Sequence, residues 1–132
     1  MSMEPVKSGD DSDERLRVDA DERSVPGAVV FRLSGRLDVF TYNELKKSMD
    51  PFLGAAAGKC WLVDLSQVPF VASSGWSVFI ATRARLNAVG GRLGLLGMLS
   101  EQTRVYQSMR MGDLVPAFAN LAEAMHPMGL ST

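Results

Sequence analysis

The apolar run Cys60-Trp61-Leu62-Val63 is the tightest constraint on how this chain can fold. Four large apolar residues with no polar alternation suit a strand covered on both faces, as at the centre of a parallel sheet. The run continues into Asp64-Leu65-Ser66-Gln67-Val68-Pro69-Phe70-Val71-Ala72-Ser73-Ser74-Gly75. This reads as a buried strand that ends in a polar turn and hands two adjacent serines to the start of a helix. A helix N-terminus carries unpaired amides and a partial positive charge, so it accepts an anion such as phosphate at little cost. Two readings of Ser73 and Ser74 stand side by side: a plain N-cap, or hydroxyls on which a phosphate signal is written.

The flanking segments alternate in type. Leu16, Val18 and Ala20 interleave with Arg17, Asp19 and Asp21, the period of a half-buried strand. Ser24-Val25-Pro26-Gly27 is a turn, and Ala28 to Leu33 a second strand, forming a hairpin with the first. Ser34-Gly35-Arg36-Leu37-Asp38 leaves the sheet as a loop. Thr41 to Leu53 has helical spacing at Leu45, Met49 and Phe52, with Thr41 and Glu44 placed for a capping box and Pro51 in the last turn. Ser74 to Val89 is a helix closed by Gly90-Gly91. A strand over Arg92 to Leu96 and a helix over Ser100 to Met109, capped by Ser100, follow. Leu114 to Ala117 is a short strand, and Asn120 to Met125 a last helix stopped by Pro127 and Gly129.

The order β-β-α-β-α-β-α-β-α predicts an α/β fold with a mixed sheet, antiparallel in the first hairpin and mainly parallel elsewhere, carrying about four helices. At 132 residues the chain reads as one domain over residues 14–128, behind a polar tail at 1–13.

Composition narrows the function. Fourteen basic against fifteen acidic residues give a net charge of −1, which argues against binding nucleic acid through bulk charge. No apolar run approaches the roughly 18 residues of a membrane span, and the polar N-terminus lacks a signal peptide's apolar core. The single cysteine, Cys60, lies in an apolar run, consistent with a reducing cytoplasm. The single histidine, His126, sits at a helix end, and with one cysteine it makes a zinc site improbable. The glycines at 90, 91, 94 and 97 fit no phosphate-binding loop. Ser73 and Ser74 have no base nearby in sequence, so they read as substrates of another protein rather than as nucleophiles. Neither an enzyme nor a cofactor is expected. Asp38 and Asp64 each follow an apolar stretch, at strand ends where α/β sheets bind ligands, or simply cap local turns.

These residues together resemble the STAS domain, and specifically the bacterial anti-sigma factor antagonists. The likeness runs from about Leu16 to Met125: Gly35-Arg36-Leu37-Asp38 is similar to the loop after the second strand, Asp64-Leu65-Ser66 with Val68 and Phe70 to the third strand and its turn, Ser73-Ser74-Gly75 to the phosphorylation loop, and Gly90-Gly91 with Arg92–Leu96 to the next helix end and strand. The resemblance implies a serine-phosphorylation-controlled partner switch. The unphosphorylated protein binds an anti-sigma factor that is often also a serine kinase, which frees the sigma factor and so regulates transcription. The kinase phosphorylates the serine before the glycine, here Ser74, with Ser73 as the alternative, and a serine phosphatase resets it. Gly35, Asp38, Ser73, Gly75 and Trp76 are the implied partner-binding residues, Gly75 by letting a partner approach the backbone.

Two positions depart from the family pattern. Ala72 replaces the usual acidic residue, and Trp76-Ser77 replaces Leu-Gly. Trp76 reads either as a core anchor or as an interface residue. The competing function is a non-phosphorylated STAS adaptor in a lipid-transport or stressosome-like assembly. The sequence leaves the oligomeric state open.

Overall fold

The computed structural model describes residues 15–131; the expected tail at 1–13 lies outside the described residues. Five strands form one sheet in the order β1-β2-β3-β4-β5. They are β1 Arg17–Asp21, β2 Ala28–Ser34, β3 Cys60–Gln67, β4 Arg92–Leu96 and β5 Ala117–Phe118. β1 and β2 are antiparallel, and every later pair is parallel. The helices are α1 Tyr42–Met49, α2 Ser73–Asn87, α3 Ser100–Ser108 and α4 Leu121–Met125, with short 3₁₀ turns at Asp50–Ala55 and Met111–Asp113. The mixed sheet with four helices matches the sequence expectation.

Strand periodicity builds two cores. Trp61, Val63 and Leu65 of β3, with Val29, Phe31 and Leu33 of β2, meet Leu45 and Met49 of α1 and Trp76 and Phe79 of α2. On the opposite face Cys60, Leu62, Ala28 and Val30 meet Ala124 of α4 and Met128 beyond it. The unbroken apolar run at 60–63 is thus covered on both sides, and burial pushes the Cys60 thiol up to about 11.

Several boundaries move for local reasons. The helix expected over 41–53 gives way after Met49, because the Pro51 ring would meet the Lys47 carbonyl, and the chain continues as a 3₁₀ turn. Thr41 makes no side-chain cap; its hydroxyl donates to Arg36 O at 2.8 Å and accepts from the Asp38 amide at 3.0 Å. Leu99, not Ser100, caps α3. Asn120, expected as the first residue of the last helix, caps α4 instead, accepting from the Glu123 amide at 2.9 Å. The last strand starts at Ala117 rather than Leu114, because the amides of Leu114 and Val115 are already spent on Met111 O, and Pro116 has none. α2 ends at Asn87, two residues short of the expected Val89, and the expected glycines close the turn beyond it: Gly90 takes a left-handed φ of 77° and the Gly91 amide returns to Leu86 O at 2.8 Å.

The hairpin carries the strongest carboxylate environment. Asp21 accepts from the Ser24 hydroxyl at 2.6 Å and from the Ser24 and Arg23 amides at 3.0 Å, and pairs with Arg32 at 3.0 Å. These donors, the Ser24 hydroxyl foremost, hold its carboxyl well below the usual 3.8. A depressed folded pKa stabilises fully above the unfolded value and fades as pH falls through the folded one. Asp21→Asn is therefore expected to lower the urea midpoint at neutral pH, with the gap to the parent narrowing in acid. A gap that stays constant from about pH 7 to about pH 2 would contradict this.

Candidate functional site

The C-terminal ends of β2 and β3 open into two loops that are tied together by backbone bonds. The Gly35 amide donates to Gln67 O at 3.2 Å, the Leu37 amide to Phe70 O at 3.0 Å, and the Ala72 amide to Leu37 O at 2.8 Å. Leu37 and Val71 form an isolated parallel bridge. α3 adds a tie, with Gln102 Nε2 donating to Val68 O at 2.8 Å. The loop 35–38 is thereby fixed beside the first turn of α2.

The two serines are the first residues of that helix. Ala72 is the N-cap, with extended backbone and no side-chain acceptor, so neither serine is the cap. The capping reading is thus set aside: the serines fall at N1 and N2, inside the positive end of the dipole. The first turn of α2 holds no acidic residue. With Ala72 in the capping position, the amides of Ser73 and Ser74 are left for solvent or for an anion, while those of Gly75 and Trp76 return to Ala72 O. Ser73 is exposed. Ser74 is half-buried, and its hydroxyl is buried without a hydrogen-bond partner.

Two expected contact residues prove to be interior. Trp76 is 2% exposed and packs edge-on to Phe79 with ring centroids 5.9 Å apart. It is the core anchor and not a surface contact. Gly75 is buried too, and a Cβ there would lie 2.7 Å from Leu37 Cγ and 3.0 Å from Val71 Cγ1. The close approach it permits is to this chain's own loop, not to a partner. Gly35 is required for the same kind of reason: its φ is 98°, and a Cβ would collide with the Arg15 carbonyl.

Asp38 organises its turn. Its carboxylate accepts from the Phe40 amide at 2.9 Å and pairs with Arg36 at 3.4 Å, while its carbonyl receives the amides of Thr41 and Tyr42. It positions the loop and offers little free surface. Asp64 accepts from the Ser66 amide at 2.9 Å and sits on the other face of the sheet, with Arg32 and Gly97, away from the serines. The sheet therefore does not gather the two aspartates into one site.

Sequence reasoning missed the exposed apolar residues on the two tied loops. Phe40 is 88% exposed, Val39 62% and Phe70 41%. The Arg36 guanidinium lies 4.5 Å from the centre of the Phe70 ring, a cation–π contact. The signal was the pair Val39-Phe40, two large apolar residues in a turn whose backbone is already paired. Among the described residues, no group of three or more His, Cys, Asp or Glu could hold a metal ion, and no helix is long and apolar enough to cross a membrane.

The family model of the STAS domain matches residues 19–124, most of the chain. The protein belongs to the STAS domain family. No curated protein sequence matches it. The STAS fold here is similar to an anti-sigma factor antagonist from Mycobacterium paratuberculosis, at TM-score 0.76 and 20% identity over 88% of this chain and 96% of the other. It is also similar to the Bacillus cell fate determinant SpoIIAA in its phosphorylated form, at TM-score 0.63 and 23% identity over 82% of this chain and 96% of the other. SpoIIAA in its unphosphorylated form matches at TM-score 0.62 and 21% identity, over 82% and 92%. At these identities the likeness establishes the STAS fold.

Proposed function

We propose that this STAS domain is an anti-sigma factor antagonist, a cytoplasmic protein with no catalytic activity of its own that is switched by phosphorylation of Ser74. The unmodified protein binds an anti-sigma factor that is also a serine kinase, and a serine phosphatase restores that state. One observation carries this reading: the two serines open α2, clear of any acidic side chain in its first turn, and the tied loops leading into α1 and α2 carry the exposed Val39, Phe40 and Phe70. Exposed aromatic residues of this kind serve as anchors for a protein partner. A phosphate adds roughly −1.5 to −2 charge at pH 7, which the helix N-terminus accepts but which brings bulk and desolvation cost into an apolar contact.

Ser74 is the proposed acceptor because it precedes Gly75 as in the family's loop. Its hydroxyl must turn outward to reach a kinase, whereas that of Ser73 is already in solvent. The test is phosphosite mapping by mass spectrometry after incubation with ATP and lysate of the native host. A phosphate lost in Ser74→Ala and kept in Ser73→Ala supports the reading; loss in Ser73→Ala alone moves the switch to the neighbour. No phosphate, in a lysate that modifies a control antagonist, favours the adaptor reading. The covered Ser74 hydroxyl and the missing carboxylate at Ala72 are the observations on that side.

A further inference from the structure

We propose that the cleft between α1 and α2 is a binding site for a small amphipathic carboxylate, an apolar body bearing one anionic head. The cleft has a volume of about 400 Å³, within the ordinary range for small-molecule sites. Met49, Leu53, Val78 and Ala81 give it apolar walls. Two of its lining residues, Trp61 and Ser74, hold buried donors with no partner: the indole Nε1–H and the hydroxyl. Trp61 is wholly buried in a sheet centre, where an unmet donor is costly. Both donors are closed to solvent as they stand, so an occupant reaches them only by displacing what covers them, and because an indole nitrogen can only donate, that occupant must bring an acceptor.

Charge at the cleft selects the acceptor. Lys46 and Arg85 line it together with Asp50, which leaves one net positive charge. Arg85 is paired with Asp50 at 3.6 Å, and Lys46 makes no ion pair among the described residues. Two orphan donors, apolar walls and a cation without a counter-charge fit an oxygen-rich anionic head on a hydrocarbon body. The site does not depend on Ser74 being phosphorylated, so it stands or falls separately from the partner switch.

The experiment is a ¹H–¹⁵N titration of the full chain with octanoate, and in parallel with octanol. The two tryptophan indoles report independently, because Trp76 does not line the cleft. Octanoate is expected to shift the Trp61 indole resonance with half-saturation below about 1 mM, and to leave that of Trp76 in place. Lys46→Glu is expected to weaken octanoate about tenfold. Ala81→Phe, at an exposed position on the cleft wall, is expected to abolish the shift in a protein that keeps its backbone spectrum. The proposal is overturned if the Trp61 indole does not move in the folded parent up to about 5 mM octanoate. It is also overturned if octanol binds as tightly as octanoate, or if either variant binds octanoate as the parent does.

Discussion

Trp76→Ala is expected to lower the unfolding free energy by about 3–5 kcal/mol, the usual loss for truncating a buried tryptophan. The side chain is 2% exposed, set edge-on to Phe79 and 6.5 Å from the Tyr106 ring, so its removal leaves a cavity where α2 meets α3. Trp76→Phe is expected to cost much less. It keeps an aromatic ring against Phe79, and the indole N–H that it deletes has no partner to lose. Urea midpoints of the two variants check this ordering. A Trp76→Phe protein that keeps its midpoint but fails to bind the partner would return the residue to the interface.

Ser74→Glu is expected to weaken binding to the kinase-like partner by about 100-fold, roughly 2.8 kcal/mol, while Ser74→Ala keeps the parent affinity. The asymmetry follows from the site: a carboxylate at the second position of α2 is tolerated by the helix dipole but must be desolvated when a partner covers Phe40 and Phe70. Equal affinities for the two variants, with both folded by circular dichroism, would remove the charge-based switch and leave the adaptor reading. Calorimetry against the isolated partner gives both numbers.

How much of this was legible in advance depended on the distance over which the physics acts. The run at 60–63 named a strand buried on both faces because each side chain there has one environment in any register. The Gly90-Gly91 turn is local chemistry and was readable, whereas Asn120 was read as part of the last helix and proves to be its cap. Pro51 flagged the shortened α1, but the rescue of the chain as a 3₁₀ turn was not visible. The aspartates misled because Asp38 and Asp64 have the same sequence context while strand alternation sends Asp64 to the face opposite α2. Gly75 could be placed inside only once Leu37 was known to lie against it, a contact spanning nearly forty positions, and Trp76 only once Tyr106 of α3 was known to face it. The α1–α2 cleft draws Lys46, Trp61, and Ser74 with Arg85 from three separate elements, and no spacing rule connects them.

The sheet's two margins bear on how this molecule meets others. β5 pairs through only two residues, and β1 alternates Arg17, Asp19 and Asp21 along its length. Short, charged margins discourage a foreign strand from extending a sheet. Under the proposed partner switch, such margins would protect against the irreversible stacking that a long bare margin invites. The proposed associations would then fall to side chains on loops and helices, where a single added charge could undo them.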